Sequence, residues 1–325
     1  MHSLPYDPSL EIEMRWKELT TCLLISVLLG CQVPVDEVDG AEVLSPPEPD
    51  YIAEVEEWRS DREERLRRPD GWLSLAGLFW LEEGENRFGS APDNDLVFPM
   101  PAPAYLGRLR RSNNEVWVEF EAGNPEKPLE GSAEPALLAL DSSDEPTILE
   151  YETLSFFAIE RGERIGIRLK DSASEVLRTF RGMDSYAVDP AWRLDARFVA
   201  YDEPRTVQVP NVIGGAFDES APGRLELSID GREVHLEPIV DLSDPEASLF
   251  LVFGDETNGD ETYGGGRFLY IDPPGPDGWA VVDFNKAYNP PCVFTPYATC
   301  PLPRPENKLA LRIEAGEKSF HAGVH

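Results

Sequence analysis

Two carboxylates, Asp255 and Asp283, are the side chains best suited to general acid–base chemistry in this sequence. If they flank a cleft, one carboxyl group can protonate a leaving group while the other activates water, as in a hydrolase. Spacing along the chain does not fix the distance between them, and 61 acidic residues make chance pairs common. A hydrolase that uses this pair is therefore the alternative to a non-enzymatic function.

A proline-rich loop over residues 290–305 is the second feature with a chemical use. Proline restricts the backbone and removes hydrogen-bond donors, so this loop is not a central strand. A stiff loop loses little entropy when it is held in one shape, which suits the wall of a ligand pocket. The loop could equally be a rigid plug that closes the end of a β-barrel. The predicted ligand-binding side chains around it are Arg267, Asp283, Asn285, Lys286, Tyr288, Asn289 and Tyr297.

Glycine residues 264–266 precede Arg267, and their backbone N–H groups could cradle an anion. A simple turn into the next strand is the other interpretation. The acidic run 255–260 has the oxygen ligands of a calcium loop without the EF-hand order, so we interpret it as a turn. No motif predicts a metal site or a cofactor.

Two cysteines, Cys292 and Cys300, lie within the proline-rich loop. In an exported chain a disulfide is the first interpretation, and closing so short a loop contributes roughly 2.5 kcal/mol in the chain-entropy model. Free buried thiols are the alternative. Zinc is a weaker option because Cys-x7-Cys matches no zinc-site spacing, and a nucleophilic cysteine needs a base such as histidine nearby.

Histidines offer little for catalysis. His2 and His325 lie at the ends of the chain, and His235 alternates with apolar residues on the polar side of a predicted strand. His321 follows residues 309–313, which are predicted to form the last apolar strand. Only His321 is a candidate for a Ser-His-Asp or Cys-His mechanism.

An export signal occupies residues 1–30. Arg15 and Lys17 precede the apolar stretch 19–30, which is the order of a secretory signal. The stretch is shorter than the roughly 20 residues that a membrane-spanning helix needs. Residues 28–31, Leu-Leu-Gly-Cys, resemble the lipobox of bacterial lipoproteins, in which the cysteine is acylated, here Cys31. A buried core helix with a chance cysteine is the alternative interpretation.

Residues around this signal refine the expected location. The acidic residues before Met14 do not suit a signal, which indicates that translation begins at Met14. Gln32 resembles the outer-membrane sorting pattern of Gram-negative lipoproteins. Residues 31–50 are acidic and rich in proline, which is typical of a flexible tether. We therefore expect an exported protein that is anchored in a lipid membrane through Cys31, in the outer membrane or facing the periplasm of such a host.

The charge balance excludes some partners. The chain has 29 basic and 61 acidic side chains, for a formal charge of −32. Such a chain is repelled by nucleic acids, and so we expect no nucleic-acid partner.

The elements that must position these residues are predicted to be mainly β. One N-terminal helix is expected over residues 51–70, ending at a Pro-Asp-Gly sequence. Beyond it the apolar residues alternate, for example over 225–229 and 234–236 around Asp230-Gly231, which is a strong hairpin signal. We predict a β-sandwich over residues 71–170 and a second β-rich barrel or sandwich over residues 171–325.

Residues 85–90, 94–99 and 104–109 resemble those of a forkhead-associated (FHA) β-sandwich. Such domains read phosphothreonine through an arginine after the first glycine and a following serine and histidine. Here Ser90 stands at the arginine position, and no Ser-x-x-His follows Phe98. The resemblance therefore implies the fold without the phosphopeptide site.

Longer motifs give a second resemblance. They lie at residues 188–193, 255–257, 262–269 and 283–303. Together they look like the DUF1684 family, over about residues 58–318, and the family name implies no activity. The leading functional hypothesis is therefore an envelope lipoprotein that binds a small molecule, a glycan or a partner without catalysis. A structural lipoprotein with no ligand is a third hypothesis.

Overall fold

The computed structural model describes residues 49–121, 135–244 and 246–320. The predicted signal, residues 31–48 of the predicted tether with the lipid-bearing Cys31, Met14 and His321 lie outside these residues. The fold class is confirmed: the protein is mainly β, with one long helix at the N-terminal end of the described chain. Among the described residues, no helix is both long enough and apolar enough to cross a membrane.

Helix α1 spans Pro49–Leu66 and so begins and ends slightly earlier than predicted. Pro69-Asp70-Gly71 follows it, and the proline cannot continue the helix. The apolar stripe is thin: Val55 and Leu66 are buried, whereas Ile52 is exposed. Because so little apolar surface is available, α1 must be held to the body largely by polar contacts.

The first half of the body is formed by two sheets that share one core. Strands β1 (Leu75–Trp80), β2 (Gly84–Gly89), β3 (Leu96–Val97), β4 (Gly107–Ser112), β5 (Glu115–Phe120), β6 (Ala136–Leu138), β7 (Leu149–Tyr151), β8 (Leu154–Arg161) and β9 (Arg164–Asp171) build it. The sheet orders are β1-β9-β8-β7 and β3-β2-β4-β5-β6. Phe88, Leu109 and Phe156 are fully buried between the two sheets. The similarity to an FHA domain stays a prediction.

The second half follows a short helix, α2 (Glu175–Thr179). Its strands are β10 (Arg193–Pro210), β11 (Ala216–Ile229), β12 (Arg232–Leu236), β13 (Leu249–Phe253), β14 (Arg267–Ile271) and β15 (Trp279–Asp283). They form a sheet of order β12-β11-β10-β15 and the hairpin β13-β14. Leu225, Phe253 and Val282 are buried in their shared core.

A third cluster of apolar residues joins the two halves. Leu75 of β1 packs with Val209 of β10 and Phe268 of β14, and with Ala298 and Cys300 of the proline-rich loop. The loop therefore lies where the two halves meet, and its restricted backbone gives both halves a fixed surface to pack against.

The predicted strand over residues 309–313 is wrong. Ile313 is fully buried, but its backbone groups bond to side chains rather than to a neighbouring strand. Its N–H donates to Asp255 Oδ1 at 3.3 Å, and its carbonyl accepts from Arg267 Nη2 at 2.8 Å. Ile313 is therefore buried without a β ladder, because two charged side chains satisfy its backbone groups.

Candidate functional site

Asp255 and Arg267, predicted as an acid or base and as a ligand contact, form a buried ion pair with each other. Both side chains have 0% exposure, and Arg267 Nη2 lies 2.8 Å from Asp255 Oδ2. Asp255 Oδ1 accepts from the Thr257 backbone at 2.8 Å and hydroxyl at 2.6 Å, while Arg267 also donates to the carbonyl of Ala315. This differs from the expectation, because every carboxylate oxygen is already engaged and neither group meets solvent.

The predicted polar side chains that follow β15 face helix α1. Asp283 Oδ1 accepts from the hydroxyl of Tyr51 at 2.9 Å and from the Asn285 backbone at 3.1 Å. Asn285 Nδ2 donates to the same tyrosine oxygen at 2.9 Å, and Lys286 Nζ lies 2.6 Å from Glu54 Oε1. The structure therefore brings these predicted ligand contacts together, but it uses them to hold the helix.

Arg62, near the C-terminal end of α1, makes further contacts with the second half of the body. Its Nε donates to Glu317 Oε1 at 2.6 Å, and its Nη2 donates to the Asn289 carbonyl at 3.0 Å. Its guanidinium carbon lies 4.3 Å from the centroid of the Tyr288 ring, and Trp58 packs against the same ring at 6.3 Å. We call the contacts of α1 with residues 283–289 and Glu317 the helix clasp.

Burial also raises the pKa values of the clasp tyrosines. Desolvation, followed by the charge of Asp283, raises the pKa of Tyr51 above its ordinary value. Desolvation raises the pKa of Tyr288 as well. Both phenols stay protonated at neutral pH, and Tyr51 therefore remains the hydrogen-bond donor to Asp283.

Asp255 and Asp283 do not share a partner residue. Asp255 is engaged by Arg267 and by the chain around Ile313, whereas Asp283 is engaged by Tyr51 and Asn285. A hydrolase needs one of the two carboxyl groups free to exchange a proton with substrate. The described geometry does not favour that alternative.

The proline-rich loop is fixed by a disulfide and by the end of β10. Cys292 and Cys300 are disulfide-bonded, with Cα atoms 6.2 Å apart. The N–H of Val212 donates to the Cys300 carbonyl at 3.0 Å, and the N–H of Leu302 donates to the Pro210 carbonyl at 2.7 Å. These bonds fix Cys300 and Leu302, and Cys300 directly follows Thr299. Of the predicted ligand contacts, Tyr297 alone lies on this loop, and it is 36% exposed.

Thr299 of this loop meets two arginines from the other half of the body. Arg161, at the end of β8, donates from Nε to Thr299 Oγ1 at 3.2 Å. Arg168, on β9, donates from Nη2 to the same oxygen at 3.2 Å. Arg161 is 9% exposed and Arg168 is 4% exposed. We call these two residues the arginine pair.

The arginine pair has hydrogen-bond donors that nothing uses. Arg161 Nη2 and Arg168 Nε are buried and have no partner among the described residues. Arg161 lies 2.8 Å from Asp141 Oδ2 through Nη1, whereas Arg168 forms no ion pair within the described ranges. Burial, and then the charge of Arg161, lower the pKa of Arg168 to about 9. An unsatisfied buried donor costs about 1–3 kcal/mol, so a ligand that accepts these bonds would be stabilised.

The sequence predicts neither arginine as part of a site. Both lie on strands whose other face carries the core residues Phe156, Ala158 and Ile167. A polar residue that alternates with core residues is normally solvent-exposed, so the pattern predicts an ordinary wet face. This strand face becomes a candidate site because the proline-rich loop covers it and places Thr299 against both arginines.

A small pocket with a cavity volume of about 10 Å³, room for about one water molecule, also borders the loop. Its lining includes Ile239, Phe250, Leu302 and an ion pair between Glu237 and Arg304. Pockets that hold small-molecule ligands are usually larger, about 300–1,000 Å³. Both Glu237 and Arg304 already have partners, so this pocket is the weaker candidate.

Catalytic and metal-binding groups are scarce in the part of the chain that the structure describes. His235 is exposed on β12, as predicted. No cluster of three or more His, Cys, Asp or Glu side chains in the described ranges has the arrangement of a metal site. The arginine pair with Thr299 is therefore the best candidate site.

The fold and this site define a mainly β protein with a buried cationic site at the junction of its two halves. Residues 178–318 match the model of DUF1684, described as a protein of unknown function. This match supports the family resemblance over that segment. The segment contains the Asp255–Arg267 ion pair, residues 283–289 and Thr299, but neither α1 nor the arginine pair.

The chain was also compared with solved structures and with curated proteins. A solution NMR structure of the uncharacterized protein from gene locus rrnAC0354 of Haloarcula marismortui is similar, with 29% identity and a TM-score of 0.38. The match covers 44% of this chain and 80% of that one. No curated protein matches.

Proposed function

We propose that this protein is a lipid-anchored envelope protein that binds a small molecule or glycan without catalysing a reaction. One observation supports the binding role most strongly: two buried guanidinium groups with unused donors converge on Thr299. Buried polar groups in a folded protein are almost always hydrogen-bonded, so each exception needs an explanation, and a bound ion or molecule is one of them. The rigid proline-rich loop supplies the third polar group of that site.

The engagement of the acidic candidates supports a non-enzymatic role. Asp255 is fixed by a fully buried arginine, and Asp283 is fixed by Tyr51. Catalysis by either would require breaking the contacts that hold residues 313–317 or helix α1 in place.

The helix clasp supports the anchored arrangement. Helix α1 begins at Pro49, where the predicted tether ends. Its contacts with Asp283, Lys286 and Glu317 fasten the start of the body to the second half. A protein pulled by a membrane tether needs such an attachment, because force on the tether reaches the body through this helix.

A ligand screen tests the binding role. The purified full-length chain is screened by thermal unfolding against neutral glycans, anionic sugars and small carboxylates. We expect saturable stabilisation by at least one compound, lost on substitution of Arg168→Gln. Absence of any saturable ligand in the screen would contradict the binding role and favour a purely structural lipoprotein.

Lipid labelling tests the anchor. In a bacterial host, the chain expressed from Met14 should incorporate labelled palmitate and fractionate with membranes. Cys31→Ser should abolish both, whereas the matched variant Cys22→Ser, in the apolar part of the signal, should change neither. Equal labelling of the two variants would overturn the proposed anchor.

A further inference from the structure

The arginine pair surrounds Thr299 with more donors than one hydroxyl can satisfy. Thr299 Oγ1 accepts from Arg161 Nε and Arg168 Nη2, each at 3.2 Å, which uses both lone pairs of the oxygen. Arg161 Nη2 and Arg168 Nε remain without a partner although each is buried. What is missing beside Thr299 is therefore an acceptor.

The charges at this junction do not balance. Asp141 neutralises Arg161 through a contact of 2.8 Å between Nη1 and Oδ2. Arg168 is 4% exposed and has no carboxylate in ion-pair contact among the described residues. Its nearest polar contact is the neutral hydroxyl of Thr299. One buried positive charge is left over, in a protein whose overall charge is −32.

The geometry points to a small oxyanion, a phosphate, sulfate or carboxylate group, bound between Arg161 Nη2 and Arg168 Nε beside the Thr299 hydroxyl. Guanidinium groups bind such anions through paired, charge-assisted hydrogen bonds, which are stronger than bonds to neutral acceptors. The hydroxyl proton of Thr299 is free to donate to the same anion, because its oxygen already accepts both guanidinium bonds. This inference rests on the proposed binding role and names the ligand class for it.

Specificity for an oxyanion follows from the arrangement. A neutral sugar hydroxyl would satisfy the two N–H groups but would leave the charge of Arg168 uncompensated. A chloride ion would compensate the charge through a single atom, whereas an oxyanion can offer a separate oxygen to each unused N–H group and to the Thr299 hydroxyl. An oxyanion therefore meets both requirements with more hydrogen bonds than chloride.

Calorimetric titration of the full-length chain tests the inference, with sodium phosphate, sulfate, acetate and glucuronate compared at constant ionic strength in chloride. We expect saturable binding of at least one oxyanion. Arg168→Gln should weaken it about tenfold or more, the loss expected for a charged hydrogen bond. Arg164→Gln is the matched control, because it removes the same charge from an exposed position on the same strand and should change the affinity less than about twofold.

A second variant keeps the test decisive if Arg168→Gln does not fold. Arg168→Lys retains the charge and loses the planar fork, so it should still weaken oxyanion binding relative to Arg164→Gln. Binding heats that do not saturate and that are equal in Arg164→Gln and Arg168→Gln would show only non-specific ion effects and would overturn the inference. Saturable binding of a neutral glycan alone would overturn the oxyanion and leave the proposed binding role standing.

Discussion

The hydroxyl of Tyr51 donates a hydrogen bond to Asp283 Oδ1 across 2.9 Å, joining the first turns of helix α1 to the end of strand β15. The two residues are 232 positions apart. Asp283 is a predicted member of the ligand site, and its partner here belongs to the same chain. The polar residues after β15 thus attach the N-terminal helix. The candidate ligand site lies instead at Thr299 and the arginine pair.

Substitution of Tyr51→Phe tests the helix clasp. The variant removes the bond that Tyr51 donates to Asp283 and the bond that it accepts from Asn285. Losing these two part-buried bonds should lower the free energy of unfolding by about 1–2 kcal/mol. Urea denaturation measures the change. Tyr105→Phe is the matched control, because Tyr105 donates to Asp93 at an exposed position and should cost little. Equal effects of the two variants would show that the clasp contributes nothing to stability.

Substitution of Asp255→Asn tests the ion pair with Arg267. Removing one partner leaves a fully buried guanidinium charge uncompensated, which typically costs about 3–5 kcal/mol. Chemical denaturation should detect this loss, or the variant should fail to accumulate as folded protein. Asp260→Asn, at an exposed acid near Arg312, should change stability by less than about 1 kcal/mol. A normally stable Asp255→Asn protein with a lost hydrolytic activity would instead support the hydrolase.

Glu219 predicts a pH dependence of stability. Burial, followed by the charges of Asp241 and Asp218, raises the pKa of Glu219 to about 7 from 4.5. The native state therefore binds this proton more tightly than the unfolded chain. The protonated carboxyl group makes its full contribution to the free energy of unfolding below pH 4.5, and this contribution is lost as pH rises through 7.

Glu219→Gln removes this dependence. Relative to wild type, the variant should gain roughly 2 kcal/mol more stability at pH 8 than at pH 5, measured by urea unfolding. Glu233→Gln, at an exposed position on β12, should show no such difference between the two pH values. A pH-independent effect of Glu219→Gln would mean that this carboxyl titrates normally in the folded protein.

The disulfide predicts that the purified protein has no free thiol at Cys292 or Cys300. Mass spectrometry after alkylation should find Cys292 and Cys300 unmodified without reductant and both alkylated after it. Reduction should lower the free energy of unfolding by about 2.5 kcal/mol, because the unfolded chain regains the freedom that the closed loop removes. Alkylation of both residues without reductant would refute the pairing.

Local elements of the fold could be predicted because their signals are local. The hairpin of β11 and β12 turns at Asp230 and Gly231, which have φ values of 52° and 73°. Such angles suit these residue types, and the flanking alternation fixes which side is buried. Helix α1 and the exposure of His235 can also be predicted, because both follow from residues close together in the sequence.

The candidate site could not be predicted because its contacts are distant in sequence and polar. Thr299 is separated from Arg161 by 138 positions and from Arg168 by 131. No periodicity marks a hydroxyl that will cover a polar strand face. The clasp was missed for a related reason: Arg62 and Lys286 bind through charge, so the thin apolar stripe of α1 did not indicate which surface the helix covers.

The most direct test of the proposed site is the pair of substitutions Thr299→Ser and Thr299→Val, compared by titration with the best oxyanion. Serine keeps the hydroxyl, whereas valine keeps the shape and removes both the acceptor for the arginine pair and the donor to the ligand. We predict that Thr299→Ser binds within about threefold of wild type and that Thr299→Val loses about tenfold or more in affinity. Equal affinity of the two variants would contradict the account, because the loop would then take no part in holding a ligand.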